Sequence, residues 1–230
     1  MLDLPIKVPL LVAICCFAGI YALYKATGKN KTILWICGIW MAFQAAVSLT
    51  GFYLAEFSMP PRFLLIIGPP FLVIFALFNH PGGKRFLDQM DLTTLMWMHT
   101  IRVPLEIGFF WLNQYGYFPT EMTYDGQNFG YLAGLTAPFL IWFTMPPNTP
   151  KRLWVLLIWN VFCIGLMLNS IRMGILSSPH FAEKYGYEIP NTALGYFPFI
   201  WQPSFLVPLF SLAHLVAIRQ LLLEKRGSNL

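Results

Sequence analysis

Apolar residues run through this chain in long uninterrupted blocks rather than at the alternating spacing of a half-buried helix or strand. Uncharged runs cover residues 8–24, 32–55, 63–83, 153–171 and 189–218, and a further apolar segment spans 92–112. Several reach the roughly 18 to 20 residues that a helix needs to cross the hydrocarbon core of a bilayer. The pattern predicts an all-α membrane protein, a bundle of seven transmembrane helices at about 8–24, 32–55, 62–79, 91–112, 129–145, 152–176 and 204–223, in a single integral-membrane domain over 1–230. Pro69, Pro70, Pro104, Pro138 and Pro208 fall inside these segments. Each removes an amide donor and frees a carbonyl that a neighbour must satisfy.

Composition supports the bilayer as solvent. Of 230 residues, 57% are hydrophobic and only 11% charged, against the roughly 25% charge of soluble domains. Mean hydropathy is +0.60. The net charge of +5 is spread over short connections, which is a topology signal and not a nucleic-acid patch. Lys25, Lys29, Lys31, Lys84, Arg85, Lys151, Arg152, Arg219, Lys225 and Arg226 fall on one side of the seven-helix arrangement, and Lys7, Arg62 and Lys184 on the other. By the positive-inside rule the N-terminus is expected outside and the C-terminus in the cytoplasm. The first run lacks a basic leader and a small-residue cleavage site, so it reads as a retained helix. Cys15, Cys16, Cys37 and Cys163 lie in apolar runs without metal or disulfide spacing and are expected as buried thiols.

One stripe stands out chemically. At about 100° per residue, His99, Arg102, Glu106 and Asn113 lie within roughly 60° of one another on the fourth helix. Charged groups at this depth normally face a protein interior or aqueous cavity and find partners there. Arg102 is expected near mid-membrane, with Glu106 about 6 Å farther out at 1.5 Å per residue. Asn169 and Arg172 share a face near the outer end of the sixth helix. His99 and His214 fall at matching depth on two helices, an arrangement open to haem or metal ligation or proton relay. Gln44 and Ser48 read as interhelical hydrogen-bonding groups. The long outer loops, 113–128 and 177–203, are rich in aromatics and carry Glu121, Asp125, Glu183 and Glu188.

The leading expectation is a small-solute transporter or binding protein whose ligand- or proton-handling network uses His99, Arg102, Glu106, Asn113, Asn169 and Arg172. No cofactor is required by that reading. The alternatives are a membrane-embedded enzyme or haem protein using His99 and His214, and a structural or assembly subunit. The partners implied are the lipid bilayer and a small solute or protons; oligomeric partners and catalytic residues are not legible. A retinal protein is set aside, because the seventh helix lacks a lysine for a Schiff base. Asn169-Ser-Ile-Arg172 faintly resembles the arginine motif of exosortase-like transpeptidases, but Cys163 sits too close to serve as the expected nucleophile.

The segments Pro60-Pro-Arg-Phe, His99-Thr-Ile-Arg-Val-Pro-Leu-Glu106, Met122-Thr-Tyr-Asp-Gly-Gln-Asn-Phe129, Leu135-Thr-Ala-Pro138 and Tyr196-Phe-Pro-Phe-Ile-Trp-Gln-Pro-Ser-Phe205 resemble a family of bacterial polytopic inner-membrane proteins with no assigned activity. That resemblance implies a multi-pass location in the bacterial inner (cytoplasmic) membrane.

Overall fold

A computed structural model describes residues 2–54, 62–146 and 152–228. Among them every regular element is helical. The α-helices are α1 (Lys7–Ala26), α2 (Lys31–Leu49), α3 (Leu64–Asn79), α4 (Pro81–Asp88), α5 (Leu92–Met98), α6 (Arg102–Gln114), α7 (Tyr131–Thr144), α8 (Leu153–Leu176) and α9 (Val207–Ser228). Three of these helices, α1, α2 and α8, are long and apolar enough to cross a membrane, as is the stretch Gln202–Lys225 that holds α9 as far as Lys225. The pair α3 and α4 makes a fifth span if its 94° bend is taken within one crossing.

The segment expected at 91–112 is not one regular helix. Between α5 and α6 the backbone tightens into a 3-10 turn at His99–Ile101. Pro104 explains this, since it cannot donate to the Thr100 carbonyl and its ring crowds that oxygen. The expected segment at 129–145 is a 14-residue helix, and the one at 32–55 ends at Leu49, with Ala55 outside the described residues. The connection 80–90, expected as a loop, contains α4. His80 accepts from the Gly82 amide and Pro81 opens the helix, a local combination of cap and pre-set φ that starts helices.

The core sits around α9. Of the Gln202–Lys225 window 61% is buried, against 22–33% for the other spans. Its flanks instead present apolar side chains outward, including Trp35, Leu72, Phe139 and Trp142 at 69–80% exposure. Helices apolar on every side belong in lipid or in a protein core. A π-helical turn at Gln202–Leu206 leads into α9. Pro208 cannot bond the Ser204 carbonyl, and the Trp40 indole fills that acceptor at 2.9 Å.

The basic connections gather at one end of the bundle. Arg219 grips Asp88 through two bonds of 2.7 and 2.8 Å, and Gln220 donates to the carbonyls of Leu87 and Met90. The Asp91 amide donates to the Ala26 carbonyl, and Lys225 lies over Trp154 at the start of α8. Lys151 is outside the described residues, as is the Arg226 side chain. At the opposite end the Asp3 amide meets the Tyr117 hydroxyl, and the Ala193 amide donates to the Tyr117 carbonyl.

Candidate functional site

The tight turn at His99–Ile101 carries two of the expected residues into the bundle axis. His99 is fully buried and Arg102 is 5% exposed. Helix α7 can press against this turn because residue 134 is glycine. A Cβ there would lie 2.9 Å from the His99 carbonyl oxygen and 3.3 Å from Arg102 Cβ.

The His99 ring stacks on the His214 ring at 3.9 Å between centroids and 14° between planes. Trp159 and Phe210 complete its surroundings. His214 is held by hydrogen bonds at both nitrogens. Its Nδ1 lies 2.8 Å from Asn160 Oδ1 and its Nε2 lies 3.3 Å from Arg102 Nη2. Asn160 Nδ2 donates to the Leu156 carbonyl at 2.8 Å, so that amide cannot be reversed without facing oxygen to oxygen. His214 therefore carries its proton on Nδ1 and accepts from Arg102 on Nε2.

From Arg102 the chain of polar groups continues toward the C-terminal end of α6. Its Nη1 donates to the Gly130 carbonyl at 3.4 Å, and the guanidinium lies 4.8 Å from the Phe210 ring centre. The Gly130 amide donates to Asn128 Oδ1 at 3.2 Å, and Asn128 Nδ2 donates to Glu106 Oε2 and to the Met122 carbonyl, both at 3.0 Å. Ser170 Oγ meets Asn128 Oδ1 at 2.7 Å. Arg102 and Glu106 are thus joined through Gly130 and Asn128 instead of the direct i,i+4 pair that helical spacing allows. Arg102 Nε, Glu106 Oε1 and both His99 nitrogens are buried without hydrogen-bond partners among the described residues.

Three of the expected residues lie elsewhere. Asn113 donates to the Phe118 carbonyl and to Thr120 Oγ1, closing the loop after α6. Asn169 donates to the Gln127 carbonyl and accepts from Arg172, which is exposed near the C-terminal end of α8. Desolvation pushes the Tyr187 phenol up while the Arg172 charge opposes it. Gln44 accepts from the Tyr53 hydroxyl and Ser48 donates to the Gly195 carbonyl.

Sequence reasoning missed Asn128, Asn160 and Ser170. Asn160 had a signal, as an amide deep within the apolar run of α8. Asn128 precedes Gly130 by two residues at a helix start, the spacing of an Asx turn.

The histidine pair does not fit haem. Axial ligands must point their nitrogen lone pairs at one iron from opposite sides, whereas these rings lie face to face and both His214 nitrogens are engaged. No group of three or more His, Cys, Asp or Glu side chains among the described residues is arranged to hold a metal ion. The four cysteines are free and buried.

Two hollows adjoin the Asn128–Glu106 part of the chain. A mostly apolar cavity of about 120 Å³ has Asn128, Ser170, Asn191 and Gln202 in its wall. A recess of about 240 Å³ is lined by Val103, Glu106, Ile107, Tyr124 and Tyr131. Desolvation, then the charges of Asp125 and Glu106, push the Tyr124 phenol above its ordinary value.

No curated protein and no solved structure matches this chain. A family model matches residues 60–222, a span that holds the whole chain from Asn160 to Glu106 and leaves out α1 and α2. The chain belongs to the family described as Domain of unknown function (DUF8737).

Proposed function

We propose that this protein is a seven-crossing integral membrane protein of the bacterial inner membrane, N-terminus outside and C-terminus cytoplasmic, that binds and moves a small solute. In that count α5, the tight turn and α6 form one crossing. The helical stretch 92–114 rises about 33 Å at 1.5 Å per residue, enough for a hydrocarbon core of roughly 30 Å. α7 supplies another crossing, with Phe139 and Trp142 facing lipid. Collection of the basic connections at one end supports the orientation.

The observation that carries the solute reading is the buried polar chain from Asn160 through His214 and Arg102 to Asn128, in the wall of the cavity, and Glu106, in the wall of the recess. Asn160 and Ser170 stand about 15 Å apart along α8 at 1.5 Å per residue, so polar groups follow the bundle axis over half a membrane thickness. Ionisable groups placed this way commonly mark solute or proton paths. A proton-linked cycle would use Glu106, whose replacement by Gln is then expected to abolish pH-dependent uptake.

The test is thermal stabilisation of the detergent-purified protein by a panel of amines, amino acids, sugars and carboxylic acids. A solute at a hundred times its Kd stabilises by about 2.7 kcal/mol, which is a Tm rise of about 5–10 °C for a chain of this size. Ser170→Leu, which fills the cavity wall, should remove the rise. If no solute stabilises the parent, the polar chain serves packing alone.

A further inference from the structure

We infer that the recess between α6 and α7 is a binding site for an organic ammonium group, either a free amine or quaternary ammonium solute or a lipid headgroup. This deepens the solute reading, on which it rests, by naming the class of ligand received at the Glu106 end of the polar chain.

The recess combines three features that suit a soft cation. Its floor carries a carboxylate that lies beside the Asn128 side chain and the Tyr124 backbone amide. Glu106 Oε2 accepts from Asn128, while Oε1 has no partner although the residue is 94% buried by its 6% exposure. A buried acceptor without a donor is costly, and a bound N–H donor or cationic methyl group would relieve it. Its sides are aromatic. Tyr124 stacks by one side on Phe110, at 5.2 Å and 27°, and is 40% exposed. Tyr131 opens α7 beside it. Faces of tyrosine attract ammonium groups through the ring quadrupole, and cages of this kind recognise quaternary ammonium. Val103 and Ile107 supply the apolar surface that methyl groups need.

Charge points the same way. No lysine or arginine is among the residues lining the recess. The loop 113–128 above it carries Glu121 and Asp125 and no basic residue. Such a field draws cations and repels anions. The guanidinium of Arg102, one turn below, is committed to His214 and Gly130.

The experiment compares choline with its neutral isostere 3,3-dimethylbutan-1-ol as stabilisers of the detergent-purified protein. Choline should raise Tm and the isostere should not. Tyr124→Leu, on an exposed ring, should weaken choline binding by about 2- to 5-fold, the scale of one cation–π contact at such a site. Glu106→Gln should remove it, and if that variant does not fold, Tyr131→Leu supplies the second reading with a similar loss. Nanodiscs of phosphatidylcholine and of phosphatidylglycerol separate the sources. Extra stability in phosphatidylcholine that Tyr124→Leu abolishes assigns the site to a headgroup, and an effect of free choline alone assigns it to a solute. Equal stabilisation by the neutral isostere overturns the inference, as does undiminished choline affinity in the variants, or no effect of either ammonium source. If another solute still stabilises the parent and fails on Ser170→Leu, only the ammonium assignment falls. If none does, the solute reading falls with it.

Discussion

Replacing Asn128 by leucine is the sharpest probe of the buried chain, because this one side chain serves four partners. It donates to Glu106 Oε2 and to the Met122 carbonyl, and accepts from the Gly130 amide and Ser170 Oγ. A hydrogen bond to a charged group contributes about 1.5–3 kcal/mol and a neutral one about 0.5–1.5. Side-chain bonds measured within membranes average lower, about 0.6 kcal/mol, because the unfolded reference also finds partners. Leucine is of similar size and restores some packing. The expected loss is therefore about 2–4 kcal/mol, or a Tm fall of about 4–16 °C at 2–4 °C per kcal/mol. Differential scanning fluorimetry in a mild detergent measures it. Arg172→Leu is the control, since Arg172 is exposed and its guanidinium bonds the Asn169 side chain; it should move Tm by less than about 2 °C, in line with surface substitutions. Adding Glu106→Leu to Asn128→Leu should cost less than the sum of the two, by about 1 kcal/mol or more, because the carboxylate left bare by the first change is gone. The reasoning is refuted if Asn128→Leu behaves like the control, or if the two changes add.

Gly134→Val should destabilise by about 1–3 kcal/mol through overpacking, since its Cβ would press on the His99 carbonyl and Arg102. Gly165→Ala, where nothing stands within 4 Å, should instead stabilise by about 0.5–1 kcal/mol through helix propensity; equal effects at the two glycines would deny the close approach of α7. Arg219→Ala breaks a partly exposed pair with Asp88 and should cost under about 1 kcal/mol in unfolding assays. Impermeant thiol labelling of single cysteines should place positions 84 and 219 on the cytoplasmic face and position 184 on the other, and the same side for all three would overturn the orientation.

Much of the architecture was legible in residue types alone. Long uncharged runs cannot satisfy their backbone in lipid except as helices, so an all-helical chain with several apolar spans follows from composition and run length. The stripe of His99, Arg102 and Glu106 follows from helical spacing, because three polar groups on one face of an apolar helix must turn inward. What surrounds them did not follow. Asn128 comes from a loop, Asn160 from α8 and His214 from α9, and their meeting depends on how three helices pack, which no single periodicity encodes. The i,i+4 spacing of Arg102 and Glu106 allows a direct pair. Packing of α7 through Gly134, and the Asx turn ahead of it, instead brought the Gly130 carbonyl and Asn128 between them. Asn113, Asn169 and Arg172 have the right face but the wrong depth. They sit where the helices meet the loop 115–130, whose carbonyls claim the two amides while Arg172 bonds Asn169. The two histidines matched in depth, yet only the packing of α9 against the tight turn decided that their rings stack, because helix rotation about its own axis is set by neighbours and not by sequence position.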